Sequence, residues 1–138
     1  MNLFATLARY EPQLRSLMRI MTAFVFSLHG WQKFFGMFGG IGGGRPELTS
    51  MLGVAGVLET FGGAMILMGI FTRPVAFLLS GEMCIGYFRT HAPHGFWPLQ
   101  NGGELAVFYA FFYLWLASMG PGPWSLDQLL GRNGANKG

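Results

Sequence analysis

Four side chains in this sequence are equipped to move protons: His29, Lys33, Glu59 and Glu82. Each lies within a run of apolar residues. There an ionisable group costs from a few to more than about ten kcal/mol unless it pairs, loses its charge or faces the protein interior. Gln32 beside His29 and Lys33, Glu104 near the outer end of its span and Asn101 in the adjoining loop, together with His29, Lys33 and Glu59, make a set able to hold a polar ligand by hydrogen bonds. Helical phase supports the grouping, because Thr22, Phe26, His29 and Lys33 share one face of a helix and Gly56, Glu59 and Gly63 share a face of another. Three carboxylates, Glu59, Glu82 and Glu104, then face one lysine. Such crowding predicts that at least one glutamate keeps its proton and can hand it on. In the plainer alternative, Lys33 pairs with Glu104 near the membrane boundary and only fixes helix register.

The elements that must position these groups follow from composition. Apolar residues make up 51% of the 138 residues and charged residues only 11%, against about 25% charged in a soluble domain; the mean hydropathy is +0.40. Fourteen Phe and four Trp suit a surface and interfacial belts that face lipid. The fold class expected is an all-α membrane protein, a bundle of four transmembrane helices. The spans fall at about residues 17–35, 51–71, 75–88 and 104–119, inside one membrane domain of residues 17–127. Residues 1–16 read as an amphipathic approach interrupted at Pro12, and 128–138 as a flexible tail. Thr72-Arg73-Pro74 is too short for anything but a tight reversal between the second and third spans.

Cytoplasmic loops carry an excess of Lys and Arg. Arg9, Arg15, Arg19, Arg73, Arg132 and Lys137 gather on one side, against Arg45 and Arg89 on the other, with Lys33 near that edge. The expected topology is N-in, C-in, with His91 and His94 in an outward loop that could form a lid with Asn101. Arg19 is expected to snorkel at the inner interface.

Several function classes are excluded. The single cysteine, Cys84, permits no intramolecular disulfide, CxxC pair or haem attachment, and reads as a small buried apolar residue. The nine basic residues form no cluster that would engage nucleic acid. The glycine-rich stretch 36–50 lacks the strand that a phosphate cradle requires, so it reads as a connector. No HxxE or ExxH pair lies on one helix, which weakens a metal site built from His29 and the glutamates, and no metal ligand is assigned.

The run Leu28-His29-Gly30-Trp31-Gln32-Lys33-Phe34-Phe35-Gly36, then Glu59 with Gly62-Gly63, then Gly69-Ile70-Phe71-Thr72-Arg73-Pro74 resembles the DoxX family of small bacterial membrane proteins. So do His91 to Pro98, Asn101-Gly102-Gly103-Glu104 and Gly120 to Asp127, in order and at the family's spacing. The resemblance covers about residues 17–127. It implies a four-helix, multi-pass protein of the bacterial inner membrane, in a superfamily linked to thiosulfate:quinone oxidoreductase subunits and to complexes handling oxidative or thiol stress.

Two readings of function follow, besides the weakened metal or carrier site. One is a redox-associated subunit that binds a quinone, with His29, Lys33 and Glu59 bonding its carbonyls and glutamates supplying protons. No haem, flavin or iron–sulfur motif is present, so electrons would come from a partner protein or a small substrate. The other is a non-enzymatic scaffold in a membrane complex. Whether the chain is an enzyme by itself stays open at this point, and its glycine-rich faces suit self-association as well as intrachain packing.

Overall fold

The computed structural model describes residues 2–132. Lys137 and the expected tail beyond residue 132 lie outside them. The described residues are helical, with one extended pairing, Ile41 to Gly44, in the glycine-rich connector.

Helix α1 (Leu3–Arg9) is capped by the Asn2 side chain, which accepts from Phe4 N, and buries none of its residues. Helix α2 (Glu11–Phe35) begins with Pro12 in its first turn, where the missing N–H is not needed. The break expected at Pro12 falls at Tyr10, between α1 and α2, and the long helix begins six residues before Leu17. Gly36, in the left-handed conformation at φ 72°, ends it. Its buried residues, Ser16, Arg19, Ala23, Phe26, Ser27 and Gly30, keep a spacing of three to four and form one continuous face.

Ser50 caps α3 (Met51–Val57) by accepting from Gly53 N. A π-helical turn, Leu58–Gly62, then joins α3 to α4 (Gly63–Met68) without breaking the rod. Residues 51–68 are long and apolar enough to cross a membrane by length and composition. The rod lies almost backbone to backbone on α2. A Cβ on Gly30 would sit 2.5 Å from Thr60 N, and one on Gly56 would sit 2.8 Å from Lys33 Cβ. These glycines are what permit the approach, and in lipid such packing replaces hydrophobic burial as the adhesive.

Helix α5 (Thr72–Gly86) continues through a second π turn, Tyr87–His91. After a short turn at Ala92–His94 and the single-turn α6 (Pro98–Asn101), the chain enters α7 (Glu104–Met119), which packs along α5 with Ser80 Oγ donating to the Ala110 carbonyl at 2.7 Å. Tyr109, Phe112, Tyr113 and Leu116 of α7 are buried, yet Leu105, Phe108, Phe111, Leu114 and Trp115 are exposed. A helix apolar on every side belongs in a protein core or in lipid, and half of this one has no protein to cover it. Phe26 joins the two helix pairs, edge-on to Tyr109 and Tyr113 at 5.0 Å each.

Candidate functional site

Between the pairs lies a cavity of about 1070 Å³. His29 and Lys33 reach it from α2, Glu59 from the first π turn, Glu82 from α5, Tyr109 from α7, and Thr90 and His91 from the second π turn. Most of the remaining wall is apolar, including Leu58, Phe77, Leu78 and Met83.

Lys33 Nζ donates to both oxygens of Glu59, at 2.6 and 2.7 Å. The carboxylate is 2% exposed and the lysine side chain 17%. The pairing Lys33–Glu104 considered from sequence is corrected here: Glu104 is exposed at the start of α7, whereas the glycines that bring α2 onto α3 carry Lys33 directly to Glu59. The π turn contributes by burying Glu59 and Thr60 side by side; such insertions recur at functional sites.

Glu82 is different. Both of its carboxyl oxygens are buried and neither has a hydrogen-bond partner. The hydroxyl of Tyr113, in the core beside the cavity, is likewise buried without one. A buried polar atom left unpaired costs about 1–3 kcal/mol, more for a charged group. These are therefore the places where a bound molecule could add bonds at no loss of existing ones.

Of the residues singled out from sequence, His29, Lys33, Glu59 and Glu82 are brought together around the cavity. Gln32, Asn101 and Glu104 are not among its walls. Gln32 turns aside and donates to the Gly40 carbonyl, anchoring the glycine-rich connector. Asn101 orders the loop between α5 and α7, donating to Tyr87 Oη and the Gly95 carbonyl and accepting from Gly103 N. His91 Nδ1 donates to the Asn101 carbonyl at 3.1 Å, while His94 is exposed and bonds Thr90 O. Among the described residues no three His, Cys, Asp or Glu side chains converge where a metal could be held. Cys84 is exposed on α5 and not buried; the face it occupies has no helix against it.

Tyr109 and Tyr113 were not singled out from sequence. Tyr109 lies edge-on to His29, 6.2 Å between rings. Two phenols four residues apart in an otherwise apolar helix were the available signal. Arg19 was misjudged more seriously. It does not snorkel: it is fully buried. Its guanidinium donates to the carbonyls of Pro121, Ile66, Leu67 and Trp124 at 2.5–2.9 Å. The end of α4 and the segment after α7 converge there, so the helix end supplies the acceptors that water would have given.

The DoxX family profile matches residues 14–92, over half of the chain and including three of the four cavity helices. The chain belongs to the DoxX family. It is 43% identical over 130 residues to an uncharacterised protein of Haemophilus influenzae, covering 88% of this chain and 94% of that one. It is 30% identical over 136 residues to the inner membrane protein YphA of Escherichia coli, covering 86% and 91%. A second Escherichia coli inner membrane protein, YqjF, is 31% identical over 123 residues, covering 83% and 89%. No solved structure matches significantly. Like the two Escherichia coli relatives, this DoxX protein is a membrane protein.

Proposed function

We propose that the chain is a redox-associated subunit of the bacterial inner membrane, whose four helical rods all span the bilayer with both termini cytoplasmic, and whose cavity binds a quinone or similar small ligand. The observation that carries the reading is the wall at which the bonded Lys33–Glu59 pair and the unpartnered carboxyl of Glu82 meet a largely apolar space. Such a space, with a few convergent polar groups, is what ligand sites share. Lys33 and His29 would bond the ligand's carbonyls, and Glu82 would exchange a proton with it. The names of the two Escherichia coli relatives support the inner membrane. The gathering of Arg15, Arg19 and Arg73 at one end of the bundle, with Arg45 and Arg89 at the other, supports the orientation. Electrons would come from a partner in a membrane complex or from a small substrate.

A scaffold reading draws on one observation: Lys33 and Glu59 satisfy each other, as a purely structural pair would. Mass spectrometry of small molecules extracted from protein purified in native lipid separates the two. Stoichiometric quinone, absent from Glu59→Gln and His29→Ala variants, is the result expected. Wild-type protein that carries no quinone and takes none up at excess would leave the scaffold.

A further inference from the structure

We propose that the cavity is entered sideways from the bilayer, through a gap between α3 and α5, and that its ligand carries a long apolar tail which lies in that gap. This rests on the ligand-site reading above and specifies the class of ligand.

The gap follows from how the rods pair. Helix α2 packs on α3 and α4, and α5 packs on α7; α3 and α5 do not pack against one another as these pairs do. Residues of both helices line the cavity and are left largely uncovered by protein: Val54 is 48% exposed, Phe77 67% and Leu78 54%. The glycines point the same way. On the α2 contact, Gly30 and Gly56 are pressed against a neighbouring backbone or side chain. On α5, Gly81 and Gly86 also line the cavity, yet a Cβ added to either would meet nothing within 4 Å. Those two positions bring no helix closer. They leave room.

The occupant is indicated by how polarity is distributed. The polar groups Lys33, Glu59 and Glu82 are few, and the lining that α3 and α5 add beside them, Val54, Phe77, Leu78 and Ile85 among it, is apolar. The outward end is crossed by the ordered loop that Tyr87, His91 and Asn101 hold together, with Tyr87 Oη donating to the Phe96 carbonyl. At about 1070 Å³ the space is at the top of the range of roughly 300–1,000 Å³ that holds a drug-sized molecule, more than one hydrogen-bonding ring needs. A head ring against Glu82 with a tail leaving between α3 and α5 uses all of it. A water-soluble substrate would use the polar part alone.

The test uses the full chain in lipid nanodiscs and two probes: a benzoquinone bearing a decyl tail, and the same ring with a methyl group in place of the tail. Gly81→Trp should plug the gap without striking neighbouring backbone, while Gly81→Ala controls for loss of the glycine; circular dichroism establishes that both fold. We expect the decyl probe to bind wild type and Gly81→Ala alike and to lose at least tenfold in Gly81→Trp, the methyl probe losing less than threefold. A photoreactive group at the tail end should label residues 51–58 and 77–86. Equal binding of both probes, undisturbed by Gly81→Trp, or labelling confined to 90–102, would overturn sideways entry and leave the ligand site standing. Failure of both probes to bind wild type would remove the site itself, and this inference with it.

Discussion

Two ionisable groups buried in different regions of this molecule are treated in opposite ways. Arg19 is matched: four carbonyls receive its N–H groups, and nearby Asp127, 4% exposed, accepts from Phe71 N and Thr72 N at the start of α5. Arg15 and Arg73 add bonds to the carbonyls of Met119, Ala117 and Ser118, closing the end of α7. Every charge at this end answers a helix terminus of the sign it prefers. Glu82 is unmatched, its oxygens buried without a partner. The contrast teaches that burial of a charge is not by itself a mark of function. A charge whose bonds are complete holds the fold, and one whose bonds are missing is available to something else.

Changing Arg19 should have the largest effect on this contrast. Arg19→Leu strands four buried carbonyls, and we expect a loss of about 3–5 kcal/mol, the scale of breaking a buried charge network, read by thermal unfolding in detergent. Equal stability of variant and wild type would mean the latch contributes nothing. Lys33→Met comes next, leaving the Glu59 carboxylate buried alone at a cost of about 2–4 kcal/mol; adding Glu59→Gln should restore most of it, because the pair is removed together. A double variant as unstable as the single one would refute that coupling. Asp127→Ala, which removes the cap of α5, should cost about 1–2 kcal/mol, seen in the same assay. The smallest change in stability is expected for Glu82→Gln, within about 1 kcal/mol of wild type, since no bond is lost. It should nonetheless weaken quinone binding tenfold or more by titration in nanodiscs. Should Glu82→Gln destabilise as much as Arg19→Leu, the two regions would not differ after all.

How far the sequence discloses this arrangement depends on the kind of information each part needs. The helices lie where the apolar runs predict, because a run of that length dictates its own local structure. The face shared by His29 and Lys33 was legible for the same reason, one helix and one period. The partner of Lys33 was not. Choosing Glu59 over Glu104 depends on how closely α2 and α3 approach, which is settled by Gly30 and Gly56 on two different helices. Gln32 shows the limit within a single turn, adjacent to Lys33 in sequence yet directed to Gly40 O. Arg19 was misread because its acceptors come from residues 66–67 and 121–124, and no local pattern announces that these ends meet.

The Arg19 latch also has a meaning in time. Its acceptor at Pro121 lies 102 residues further along the chain. At bacterial synthesis rates of about 5–20 residues per second, α2 exists for roughly 5–20 seconds before that acceptor has been made. Throughout that interval an arginine destined for complete burial has no completed place to go. The last clasp of the fold can close only when residues 121–127 arrive, so assembly is held open at the Arg19 end until nearly all of the described helices have been translated, and a chain halted before Gly120 would carry an exposed cationic defect by which quality-control proteases could tell it from a finished one.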